Sequence, residues 1–114
     1  MQTNLRVDVR SENGAALLSV AGELDLASSP VLERELERAF GDDPGLVIID
    51  LRDLEFMDST GLSVLIRAHN RAQETGKKLG IVNGSRQVRR LLSLTGVADR
   101  LTIVNDPAEF DSGA

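Results

Sequence analysis

The chain has 114 residues, no Cys, Trp or Tyr, one His and a formal net charge of -5 at pH 7. That length suits one domain around one core. The missing thiols exclude disulfide frameworks, thiolate zinc sites and cysteine nucleophiles, and fit a reducing compartment, while the acidic balance and the lack of stacking aromatics argue against nucleic acid and anionic lipid as partners.

Met1 to Arg10 alternates apolar and charged residues, unlike a cleavable signal segment. No apolar run approaches the ~18 residues of a membrane span, so the expectation is a cytoplasmic protein. Leu5-Arg6-Val7-Asp8-Val9-Arg10 has the period of a strand with one wet face. Asn13-Gly14 fits a tight hairpin turn, and Ala16 to Ala21 returns as the antiparallel neighbour. Gly22-Glu23-Leu24-Asp25 is read as leaving that strand. Ser29 as a cap and Pro30 at the first helical position then start a helix with Leu32, Leu36, Ala39 and Phe40 on its apolar stripe, stopped by Gly41. The run Leu46 to Leu51 is apolar and β-branched, as in a strand buried on both faces. Charged residues and Phe56-Met57 are read as the turn into a helix starting at Asp58-Ser59-Thr60-Gly61, where small polar side chains can cap the first turn and Gly61 is expected to leave the backbone open to a visitor. Gly76 closes that helix. Leu79 to Asn83 reads as a strand, Ser85 as the cap of a helix with Val88, Leu91, Leu92 and Leu94, and Leu101 to Val104 as the last strand. Asp106-Pro107 is read as the start of a brief terminal helix pinned by Phe110. Residues 1–4 and 111–114 are expected to fray.

A hairpin followed by alternating helices and strands implies a single α/β domain with a mixed β-sheet covered by helices. In such sheets function collects at the carboxyl ends of strands, where Asp25 and the Asp58 to Gly61 segment should converge.

Enzyme chemistry finds no support. A serine nucleophile at Ser59 has only His69 as its base, ten residues up the same helix and roughly 15 Å away. Gly76-Lys77-Lys78 lacks the first Gly and the hydroxyl of a phosphate loop. Asp50 with Asp53, and Asp42 with Asp43, are read as capping and solvating turns. The basic residues Arg86, Arg89 and Arg90 read as the solvated side of a helix. What remains is a pair of hydroxyls at a helix start. Ser, Thr and Asp are the ordinary capping residues, so their presence alone marks a helix start and nothing more.

Phe56-Met57-Asp58-Ser59-Thr60-Gly61-Leu62 resembles the signature of STAS domain proteins that act as anti-sigma factor antagonists. Gly22-Glu23-Leu24-Asp25 resembles a second recurring segment of that family, and Val88-Arg89-Arg90-Leu91-Leu92 to Thr95-Gly96 a third, so the likeness spans nearly the whole chain in order. The resemblance implies a STAS-like fold and a partner-switching role without enzymatic activity. An anti-sigma factor that is itself a serine kinase would phosphorylate Ser59, with Thr60 as the runner-up acceptor. The ATP and magnesium would belong to that kinase, the domain itself needing no cofactor, and a serine phosphatase would reset the switch. The unphosphorylated form would bind the kinase and free the sigma factor. Asp58, Ser59, Thr60, Gly61, Leu62 and Ser63 would form the contact, with Asp25 close by. Ser63 stands where related sequences often have Gly. The expected state is a monomer or weak dimer. The alternative role is a STAS scaffold subunit of a larger sensory or transport assembly with no phosphorylation cycle.

Phosphorylation of Ser59 would add about -1.5 to -2 charge at pH 7, which the positive pole of the helix is expected to accommodate. A like charge within about 5 Å on a partner would cost on the order of 1 to 3 kcal/mol. Since about 1.4 kcal/mol is tenfold in affinity, release needs no refolding.

Overall fold

A computed structural model describes residues 4–110. Strands β1 (Leu5–Glu12) and β2 (Ala15–Leu24) form the opening hairpin, followed by α1 (Ser29–Gly41), β3 (Leu46–Met57), α2 (Ser59–Glu74), β4 (Lys78–Val82), α3 (Arg86–Leu94) and the short β5 (Ile103–Val104), with 3-10 turns at Val97–Asp99 and Pro107–Phe110. The sheet order is β1-β2-β3-β4-β5. Among the described residues β1 and β2 alone pair antiparallel; the crossovers through helices make the rest parallel. Asn13 (φ 50) and Gly14 (φ 79) supply the positive dihedrals of the two-residue hairpin loop.

Both segments read as leaving the sheet, Gly22 to Leu24 and Arg52 to Met57, remain in it. Ser19 pairs with Asp50 but Ala21 with Asp53, and Gly22 pairs with Leu54 but Glu23 with Phe56, so β3 carries an extra residue at each register shift. Each bulge lets a strand skip one alternation. The buried side chains Leu51, Leu54 and Met57 therefore recur every third residue, a spacing that matches neither strand nor helix and looks like a turn. Gly22 is required at its bulge: it has φ +103, and a Cβ there would collide with the Asn4 carbonyl.

Ala16, Leu18 and Val20 of β2, Val47, Ile49 and Leu51 of β3, and Leu79 and Ile81 of β4 join one core with Leu32, Leu36, Ala39 and Phe40 of α1, Val64, Leu65, Ala68 and Ala72 of α2, and Val88 and Leu92 of α3. Helices thus cover one face of the sheet rather than both. By strand alternation the other face carries Arg6, Asp8 and Arg10, Leu17 and Ser19, and Asp50 and Arg52, with Phe110 lying over Gly80. Asp50 is not a turn cap: it is 6% exposed within β3 and holds Arg52 through Nη2 to Oδ2 at 2.8 Å and Nε to Oδ1 at 3.0 Å. Hydrogen bonding to Asp50 raises the Arg52 pKa above its already high ordinary value.

Smaller departures have local causes. Leu94 is 73% exposed, beyond the turn that buries Val88 and Leu92. Leu101 enters the core as a loop residue, so the last strand shortens to Ile103–Val104. Gly41 remains within α1, and the chain turns at Asp43 with φ 54. Ser29 lies inside the helix rather than capping it. Of the ends expected to fray, residues 1–3 and 111–114 lie outside the described residues, whereas the Asn4 carbonyl accepts a hydrogen bond from Glu23 N at 2.8 Å.

Candidate functional site

Strands β2 and β3 end side by side, with Leu24 opposite Met57, and Asp58 N donates to the Leu24 carbonyl at 3.2 Å. The segments that follow, Asp25 to Ser28 and Asp58 to Ser63, therefore share the carboxyl end of the sheet, as the topology leads one to expect.

Asp58 is the N-cap of α2 in extended backbone geometry. Its Oδ1 accepts from Thr60 N at 2.9 Å and Gly61 N at 3.2 Å, which ties up two of the amides a helix start leaves free. Ser59, the first helical residue, is exposed, and its hydroxyl has no hydrogen-bond partner among the described residues. Thr60 is half-buried. Ser63 is exposed one turn further on, and its hydroxyl folds back to donate to the Ser59 carbonyl at 3.2 Å.

Gly61 does not offer an open backbone. It is buried, and a Cβ there would lie 2.5 Å from Met57 Cγ and 2.9 Å from Leu24 Cδ2. Glycine is needed because the first turn of α2 rests directly on the ends of both strands. Leu62 is only 6% exposed. Gly61 and Leu62 thus support the surface from beneath, and the groups facing outward are Ser59 and Ser63, flanked by half-buried Asp58, Thr60 and Asp25.

Asp25 is held by reciprocal bonds: Ser28 N donates to its Oδ1 at 3.0 Å, and its own N donates to Ser28 Oγ at 2.9 Å. The turn between them presents Leu26, 75% exposed. The sequence reading passed over this apolar tip, although a Leu interrupting a run of turn residues was a usable signal. Gln87 was also missed. Its side-chain amide accepts from Met57 N at 3.0 Å and donates to the Met57 carbonyl at 2.9 Å, completing the ladder where β4 has already ended at Val82. One polar side chain among apolar ones gave no hint of a partner thirty residues away.

The Ser59 hydroxyl has no general base in hydrogen-bond reach; His69 is half-buried further along α2. This arrangement cannot activate its own nucleophile, and the hydroxyl is open to solvent. Among the described residues there is no group of three potential metal ligands and no helix long and apolar enough to cross a membrane. Arg86, Arg89 and Arg90 are exposed, with Arg89 bonded to the Gly84 carbonyl and to Asn105.

Comparison with known proteins matches residues 6–110 to the STAS domain family model. The chain is 34% identical over 100 residues to the anti-sigma-B factor antagonist of Bacillus subtilis, covering 88% of this chain and 91% of the relative. It is 33% identical over 94 residues to the anti-sigma-F factor antagonist RsfB of Mycobacterium tuberculosis, covering 82% and 76%. Among solved structures, an anti-sigma factor antagonist from Mycobacterium paratuberculosis superposes with a TM-score of 0.85 at 28% identity, covering 96% of this chain and 92% of that one.

Proposed function

The chain belongs to the STAS domain family of anti-sigma factor antagonists, regulatory binding proteins rather than enzymes, and from that premise we propose that it is a partner switch worked through Ser59. In this reading the unmodified protein binds an anti-sigma factor with serine kinase activity and thereby frees a sigma factor. Transfer of a phosphoryl group from the kinase's ATP to Ser59 Oγ ends the association, and a serine phosphatase restores it. The observation that supports this most is the exposure of the Ser59 hydroxyl: both it and the Thr60 hydroxyl lack a hydrogen-bond partner among the described residues, but Thr60 is half-buried and Ser59 stands open to solvent.

Electrostatics favours release at the interface. The helix start has less spare positive potential than its dipole alone suggests, because the Asp58 carboxylate already occupies the Thr60 and Gly61 amides. A phosphate on Ser59 therefore stands in solvent beside a carboxylate and confronts any docked partner with its charge. The fold has no reason to rearrange, since Ser59 packs against nothing that a phosphate displaces.

The test is site mapping by mass spectrometry after incubation with the cognate kinase, captured by pull-down from the native cell. One phosphate on Ser59, abolished in Ser59→Ala while binding persists, supports the switch. Stoichiometric phosphorylation of Ser59→Ala would place the acceptor elsewhere, Thr60 first. A stable assembly of many copies that never takes up phosphate would favour the scaffold role instead.

A further inference from the structure

The two edges of the sheet are unequal. The β5 edge is two residues long, short enough to offer little to a passing strand. The β1 edge is eight residues long, and its register with β2 runs unbroken from Leu5 opposite Gly22 to Glu12 opposite Ala15. It has no proline or bulge; the one device it carries against edge pairing is its row of charged side chains, Arg6, Asp8, Arg10 and Glu12, which repels any strand that does not match it in sign.

Its free hydrogen-bonding groups follow from the register. Glu23 N donates to the Asn4 carbonyl, and these residues lie opposite one another, so Asn4 and Glu23 form a hydrogen-bonded pair. Because such pairs alternate in antiparallel ladders, Arg6, Asp8, Arg10 and Glu12 turn their amides and carbonyls towards β2. Leu5, Val7, Val9 and Ser11 turn theirs outward, and Val9 is 42% exposed.

The side chains select what can pair there. Arg6, Asp8, Arg10 and Glu12 lie on one face with alternating sign. We infer that a second copy of this chain pairs β1 to β1, antiparallel about a two-fold axis at Val9, and continues the sheet across the dimer. In that register Arg6 faces Glu12 of the second copy, Asp8 faces Arg10, Val7 faces Ser11, and the two Val9 side chains meet at the axis. Every charged side chain of both strands then meets the opposite sign. Moving the axis to Val7 or Ser11 leaves half of them without a charged partner, and the outward amides exclude the intervening registers. The present Arg6 to Asp8 contact, 3.9 Å with side chains 77% and 73% exposed, does not hold either group away. Exposed cross-strand ion pairs contribute little each, so the dimer is weak and salt-sensitive.

Sedimentation of the full chain from about 10 µM to about 1 mM at low salt tests this. The mass is expected to rise from 12.3 kDa towards twice that value and to fall back in ~0.5 M salt, where the Debye length is a few Å. Arg10→Glu sets like charges opposite Asp8 at both symmetry-related contacts and should raise the dissociation constant at least about tenfold. The double exchange Asp8→Arg with Arg10→Asp should restore it. A monomer throughout the concentration range, or a dimer indifferent to Arg10→Glu, overturns the inference.

Discussion

Two helix starts in this protein carry adjacent hydroxyls, Ser28-Ser29 at α1 and Ser59-Thr60 at α2, and each follows a strand end and an aspartate. At α1 both serines are buried, 2% and 5% exposed. Ser28 Oγ accepts from Asp25 N and donates to the Glu23 carbonyl at 2.8 Å, and Ser29 Oγ reaches the Leu26 carbonyl at 3.4 Å. At α2 the aspartate does the capping by itself, and the serine beside it is left exposed, its hydroxyl without a partner among the described residues. The same residue types thus serve the fold in one place and remain available in the other. What separates them is which neighbouring groups still need a partner, a property of packing rather than of composition.

That contrast can be broken or sharpened by substitution. The largest stability effect should come from Gly61→Ala, which forces a methyl against Met57 and Leu24; overpacking of this kind costs about 1–3 kcal/mol, read as a lower denaturation midpoint. Ser28→Ala should cost about 2 kcal/mol, because Asp25 N loses its acceptor and the Glu23 carbonyl a donor in a part-buried turn, and urea unfolding checks it. Ser59→Asp should weaken partner binding about tenfold, as about 1.4 kcal/mol of local repulsion would, with unchanged circular dichroism. Calorimetric titration against the kinase measures this, and undiminished affinity would remove the charge argument. The smallest effect should be that of Ser59→Ala on stability, within about 0.5 kcal/mol by thermal unfolding. A loss as large as that of Ser28→Ala would erase the distinction between the two helix starts.

The sequence revealed the hairpin, α1 and the core of the sheet because period-two and helical spacing there obey the rules without interruption. It also led to the end of the sheet where Asp25 and Asp58 meet. It hid the second half of β3 because two bulges stretch the burial period to three, and the segment shows neither alternation nor a continuous apolar run. The role of Gly61 was misread for a related reason. A glycine after two hydroxyls looks like an opening, but the side chains that require it, Leu24 and Met57, come from strands whose adjacency only the register shows. The Asp50 to Arg52 pair was likewise invisible so long as Asp50 was read as lying beside a turn.

The Gln87 amide stands in for a missing strand on one side of Met57, while Leu24 of β2 pairs with Met57 on the other, so the platform that launches Ser59 is laddered along one edge and clasped by a side chain along the other. Detaching that fastening breaks only two hydrogen bonds and leaves the pairing of β3 with β2 and β4 untouched. Loss of that clasp is therefore a local event, separable from global unfolding, and under the proposed switch it would let the start of α2 yield slightly while the rest of the domain stays intact.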